Sequence, residues 1–368
     1  MPQILLFSQY AAAAYCPANF NSPGTLVSCG GSCPLVEESK AFTHAEFTKT
    51  KKTDATGYVA YDPTHQVIVV AFRGSSSLKN WMTDFRFRHI KADLCDKCEV
   101  HRGFWTSWIE SRDSVVPAVK LVLALHPKAR VVVTGHSLGG AIAVLAAAEL
   151  RKHGHWVDLY TFGAPRVGTK EVAHYLAGTL GKGKTYRITN LDDPVPHLPP
   201  AKFGYRQTFP EYHIDKVDNP ITSKDMVYYR KPYGKAQKIG FKMDTRAHVT
   251  YFGNISSCDY AAQIADSEIQ VNATQLQDIA DDPTVAENNF FDDLNEYGID
   301  GIEGETDNDL MAEFTPQTDH MGNDLPATKS TPASTSFVHK GKYRPKTKSN
   351  FKVKYEKWKA NHKKEEDE

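Results

Sequence analysis

A chain of 368 residues, 40% of them apolar, is long enough to bury one sizeable core and carry an extension besides. No apolar run reaches the roughly eighteen residues that a membrane-spanning helix needs. The formal net charge of zero is a cancellation, because residues 1–258 hold 32 Lys and Arg against 21 acids, residues 259–328 hold 18 acids and no Lys or Arg, and residues 329–368 hold 12 against 5.

These blocks predict three segments: a folded domain over 1–262, an acidic low-order segment over 263–328, and a basic tail over 329–368. The last two carry few apolar runs, so disorder is expected there. The acidic stretch is expected to lie against the basic domain and to modulate its binding to surfaces. Asp293, Asn295 and Gly298 have calcium-loop spacing, but Gly304 stands where a bidentate Glu belongs, which rules that loop out.

At the amino terminus, Met1 to Phe7 lacks a basic segment and is too short for a secretory leader, so the chain is expected to begin near a mature start. Tyr10 to Tyr15 reads as a short Ala-rich helix running into Cys16. Six cysteines, Cys16, Cys29, Cys33, Cys95, Cys98 and Cys258, are an even set that suits an oxidised extracellular protein. A zinc site drawing on Cys95, Cys98, Cys29 and Cys33 is the competing reading, and it lacks a His-rich context. Two glycosylation sequons, at Asn254 and Asn272, agree with export.

Gly57 to Asp62 and Gln66 to Arg73 read as neighbouring strands. The Ser-rich turn after the second of these places Ser75 where a hydrolase takes one oxyanion N–H. From Ser77 to Phe85, the residues Leu78, Trp81, Met82 and Phe85 fall at helical spacing on one face. Such a stripe ordinarily packs into the core; directly after the oxyanion turn it is expected to be a lid that closes on a greasy cleft. A long helix is expected over about Thr106 to Leu125.

Val131 to Thr134 is an uncharged β-branched run suited to a strand buried on both faces. Gly135-His-Ser-Leu-Gly139 follows, and then an Ala-rich helix. Strand, G-x-S-x-G and helix in that order make a nucleophile elbow, with Ser137 as the nucleophile and Leu138 as the second oxyanion donor. Trp156 to Phe162 and Lys184 to Thr189 are further strands, separated by a loop and a helix that runs to about Leu180. This alternation predicts α/β architecture with a mostly parallel sheet.

A serine nucleophile needs a histidine base, and that base needs a carboxylate, in the chain order Ser, Asp, His. Asp193, at a strand end before Pro194, is the expected carboxylate, with Asp192 its nearest rival. Among the later histidines, His197 follows Asp193 too closely and His213 reads as part of a strand, Glu211 to Val217. His320, His339 and His362 lie in the charged extension, which leaves His248 as the expected base.

Seven stretches resemble the fungal secreted triacylglycerol lipases, the class 3 lipases, a family that also holds feruloyl esterases. They are Ser8-Gln-Tyr-Ala-Ala-Ala-Ala-Tyr-Cys16, Arg73 to Phe85, Val100 to Phe104, Gly135 to Ala141, Thr161 to Gly168, Asp193 to Pro200, and His248 to Gly253. The resemblance implies an α/β-hydrolase fold with a central, mostly parallel sheet flanked by helices. It also implies a Ser137, Asp193, His248 triad, an oxyanion hole at Ser75 and Leu138, a lid at Ser77 to Phe85, and disulfides Cys16–Cys258, Cys29–Cys33 and Cys95–Cys98. Trp81 matches the lipase form of the lid, whereas the esterase relatives carry a more polar one. Thr169 departs from the family's usual Asn and leaves the triad positions intact.

The expected activity is therefore secreted hydrolysis of triacylglycerols at a lipid–water interface, by a monomer without metal, organic cofactor, nucleic-acid partner or transmembrane segment. A feruloyl or other soluble-ester esterase is the alternative within enzymes. A non-catalytic lipid-binding protein on the same fold is the alternative outside them.

Overall fold

The computed structural model describes residues 1–75, 88–178, 182–191, 193–216, 220–230 and 245–258. All of these lie in the first of two compact units, Met1–Asp300. The expected lid, Asp192, and everything beyond Cys258 lie outside the described residues.

The strands are β1 (Phe42–Phe47), β2 (Gly57–Asp62), β3 (Val67–Phe72), β4 (His89–Lys91), β5 (Glu99–His101), β6 (Arg130–His136), β7 (Val157–Phe162), β8 (Thr185–Asn190), β9 (Glu211–Ile214) and β10 (Met226–Tyr229). Eight of them form one sheet in the order β1-β2-β3-β6-β7-β8-β9-β10, and β4 pairs with β5 beside it. From β3 through β9 every pairing is parallel, while β1, β2 and β10 add antiparallel edges. The mostly parallel α/β-hydrolase sheet read from the sequence is the architecture found.

Helices cover both faces of this sheet, as a sheet buried on both sides requires. They are α1 (Pro2–Ala13), α2 (Pro34–Ser39), α3 (Arg102–Leu125), α4 (Leu138–Lys152), α5 (Lys170–Gly178) and α6 (Thr245–Val249). Val59, Ile68, Val70, Val131 and Val133 point to the core shared with α3 and α4. Their strand neighbours Tyr58, Ala60, Val69 and Val132 point the other way, to the core shared with α1 and α2. The period-2 alternation of the strands thus divides the apolar residues between two cores.

One expectation needs correcting at the amino terminus, where the helix runs from Pro2 to Ala13 rather than from Tyr10 to Tyr15. Proline at the first helical position forgoes an N–H that would have no helical partner anyway. Ile4, Leu6 and Phe7 are then buried, with the Phe7 ring 4.5 Å from that of Tyr160. The apolar start is a packed element. Similarly, α3 begins at Arg102 rather than Thr106, because the His101 side chain accepts the Phe104 N–H and caps it. Strand β9 ends at Ile214, short of the expected Val217, which lies outside the described residues.

Three disulfides join Cys16 to Cys258, Cys29 to Cys33 and Cys95 to Cys98. The first ties the end of α1 to the end of the described domain. No described helix is long and apolar enough to cross a membrane.

Candidate active site

The site forms beyond the carboxyl ends of the central parallel strands, where open α/β sheets place their ligands. At the end of β6 the chain turns through Ser137 at φ 56° and ψ −127°, a conformation costly for any residue with a Cβ. The Ser137 N–H donates to the Phe162 carbonyl at 2.9 Å, and α4 starts at Leu138. Two glycines make the turn possible. A Cβ on Gly135 would overlap the Gly139 backbone, and one on Gly139 would overlap the Phe72 carbonyl. Strand, helix and the exit of β3 therefore touch backbone to backbone.

That contact brings the turn after β3 alongside Ser137. A Cβ on Gly74 would stand 3.0 Å from the Ser137 Cβ, so the turn that carries Ser75 runs beside Ser137, the residue before Leu138. Ser75 and Leu138 are both half-buried.

Asp193 follows β8 and is 2% exposed. Its Oδ1 accepts the Val195 N–H at 2.9 Å, and its Oδ2 accepts the Tyr251 hydroxyl at 2.6 Å. His248 Nδ1 lies 2.9 Å from Oδ2 and 3.0 Å from Oδ1. A carboxylate can only accept, so Nδ1 is the donor and Nε2 is the ring nitrogen turned away from Asp193. Nε2 is buried and has no hydrogen-bond partner among the described residues.

Three groups hold this pair in place. Asn190, the last residue of β8, donates from Nδ2 to the Ala247 and Thr250 carbonyls at 3.0 and 2.5 Å, which pins α6 against the strand end. His136, the neighbour of Ser137, lays its ring over that of His248 at a centroid distance of 4.6 Å. It donates from Nε2 to the His248 carbonyl at 2.8 Å. Its Nδ1 is then the acceptor for the Tyr15 hydroxyl at 2.7 Å. Burial, and secondarily repulsion from His248 whenever that ring is protonated, pushes the His136 pKa well below the ordinary histidine range, so this ring stays neutral. Tyr251 is pushed well above the phenol range by burial and then by the Asp193 charge, and it remains a donor.

Tyr15, His136, Asn190 and Tyr251 were not singled out from the sequence, although each lies within or beside a stretch that was. For His136 and Asn190 the signal is polarity at the ends of otherwise apolar strands, and for Tyr15 and Tyr251 it is a buried hydroxyl just past a helix end, each of which must find a partner.

Of the expected site residues, the structure brings Asp193 and His248 into contact, and it brings Gly74, the residue before Ser75, alongside Ser137, the residue before Leu138. The lid residues Leu78, Trp81, Met82 and Phe85 lie outside the described residues, as does the rival Asp192. His213 pairs through Nδ1 with the Thr189 hydroxyl at 2.9 Å inside the sheet, and His197 stands in a short turn where its carbonyl accepts from Arg166.

The family model described as Lipase (class 3) matches residues 69–203. A secreted mono- and diacylglycerol lipase 1 from Fusarium solani is 40% identical over 285 residues, covering 74% of this chain and 84% of that protein. A secreted mono- and diacylglycerol lipase A from Penicillium cyclopium is 41% identical over 226 residues, 61% of this chain and 73% of that one. The crystal structure of a mono- and diacylglycerol lipase from Aspergillus oryzae superposes with a TM-score of 0.64 at 38% identity, over 70% of this chain and 97% of that one. The chain belongs to the class 3 lipase family and is a lipase, a hydrolase.

Proposed function

We propose that this lipase hydrolyses acylglycerol esters at a lipid–water interface through Ser137, His248 and Asp193. The observation that carries the proposal is the buried His248–Asp193 pair, whose Nε2, without a partner among the described residues, lies on a ring packed at a tilt against the neighbour of Ser137. In this mechanism Nε2 takes the Ser137 proton as Oγ attacks the ester carbonyl, and Asp193 stabilises the imidazolium that forms. The N–H groups of Ser75 and Leu138 receive the oxyanion. His248 then gives its proton to the departing alcohol oxygen and activates the water that releases the fatty acid.

Among acylglycerols, the relatives named mono- and diacylglycerol lipases favour substrates with one or two acyl chains over the triacylglycerol expected from sequence. Triacylglycerol remains the second reading, favoured by the apolar stripe Leu78, Trp81, Met82 and Phe85, which we assign to a lid. The relatives' names also support export, and the charge blocks support a catalytic domain over 1–262 followed by two non-catalytic segments, 263–328 and 329–368.

Two measurements test the proposal. Ser137→Ala is expected to lower turnover of a soluble ester by at least about 10³-fold with the fold unchanged; substantial residual turnover would move the nucleophile elsewhere. Rates on emulsified mono-, di- and trioleoylglycerol and on a soluble feruloyl ester, above and below solubility, rank the substrates. A feruloyl ester preferred over all three glycerides would refute the lipid assignment.

A further inference from the structure

We infer that Asn254 is an N-glycosylation site, with an oligosaccharide on its Nδ2. The inference rests on the proposed export of the chain. Asn254-Ile-Ser256 is one of two sequons in the sequence, and sequence alone leaves open whether folding would tolerate a sugar there. The fold settles the tolerance.

Phe252 at φ 59° and Gly253 at φ 136° turn the chain outward after α6, and Asn254 emerges exposed. Its Oδ1 faces the protein, accepting both the Ser256 N–H and the Ser256 hydroxyl at 3.1 Å. Its Nδ2 has no hydrogen-bond partner among the described residues, so a substituent on that atom breaks nothing. The neighbours behave oppositely, with Ile255 and Ser256 each 2% exposed. An asparagine at either of those positions would have to bury its sugar.

The same burial fixes the order of events. An enzyme that reads the Ser256 hydroxyl must act before the turn closes and before Cys258, two residues further on, pairs with Cys16. In the reaction Nδ2 attacks C1 of a lipid-linked oligosaccharide diphosphate. The N–C1 bond forms as the C1–O bond breaks, the lipid diphosphate leaves with the electron pair, and Nδ2 loses one proton. The finished glycan stands outside the turn that follows the His248 helix and makes no demand on the catalytic hydrogen bonds.

The test expresses the full chain in a eukaryotic secretory host behind a heterologous leader, so that entry to the pathway does not depend on the export proposed above. Mass spectrometry of the secreted, active protein after enzymatic glycan release is expected to read position 254 as aspartate. Asn254→Gln should remove that mass step, and Ser256→Thr should keep it, both with soluble-ester turnover within about twofold of the parent. Recovery of the peptide with unmodified Asn254, from a culture that glycosylates a co-expressed reporter, would overturn the inference, as would glycan found at Asn272 alone.

Discussion

Tyr251 donates its hydroxyl proton to Asp193 Oδ2 at 2.6 Å, the same oxygen that receives the His248 N–H at 2.9 Å. With the Val195 N–H on Oδ1, the carboxylate is held by three donors from two separate segments, so the imidazole it orients has a single well-defined direction. Tyr251→Phe keeps the ring and deletes one donor to a buried anion. A lost hydrogen bond to a charged group is worth about 1.5 to 3 kcal/mol, and part of it is expected to appear as a fall in kcat of about tenfold with KM little changed. Steady-state kinetics on a soluble ester reads this directly, and an unchanged kcat would mean that Val195 and His248 suffice to hold Asp193.

Gly163 makes the same pair vulnerable from the other side. It sits at φ 59°, and a Cβ there would lie 2.8 Å from Asp193 Oδ2 and 3.1 Å from His248 Nδ1. Gly163→Ala is therefore expected to push carboxylate and imidazole apart and to lower kcat by roughly 10- to 100-fold, through misplacement of the imidazole proposed as the base. Strain at positive φ should also lower stability by about 1 kcal/mol. Gly154→Ala is the control. It shares a positive φ of 91° with nothing within 4 Å, so it should lose stability and keep kcat.

Much of this site is legible in the sequence because local rules demand local residue types. The elbow needs glycines at 135 and 139, and the buried strand before it needs Val131 to Val133, so Ser137 stands out without any tertiary information. Asp193 and His248 follow from chain order. The remaining groups are set by contacts between distant segments, which a linear pattern does not carry: Asn190 holds α6, Tyr15 reaches His136, and Tyr251 reaches Asp193. The start of α1 was missed for a related reason. Met1 to Phe7 is only weakly periodic, and its helix depends on packing Phe7 against Tyr160.

His136 links folding to acidity. Its pKa lies well below the ordinary value in the fold, so the unfolded chain binds a proton below about pH 6.5 that the folded chain does not. Stability therefore falls as pH drops below that value and is unaffected by this group above it. Denaturant unfolding measured from pH 8 to pH 5 is expected to show this decline, and His136→Gln, neutral throughout, should make it shallower, with His44, His89 and His155, whose pKa values burial also lowers, supplying the rest. A variant whose slope matches the parent would place the acid sensitivity in other groups.

The Cys16–Cys258 bond closes a loop of 242 residues, whereas Cys29–Cys33 closes one of 4. If disulfides act mainly by restricting the unfolded chain, replacing the long-range pair by serines should cost about 3 to 5 kcal/mol, and replacing the short-range pair roughly 3 kcal/mol less. For a domain of this size the larger loss corresponds to a fall in Tm of about 10 °C. The long-range bond has a second effect through its neighbour. Cys16 follows Tyr15, whose hydroxyl donates to Nδ1 of His136, which in turn holds the His248 carbonyl from Nε2. Loosening that clasp is expected to lower kcat several-fold at temperatures where the fold is still intact, a loss the short-range variant should not share. Calorimetry and kinetics on the two double variants separate the effects, and equal Tm losses would count against the loop-entropy account.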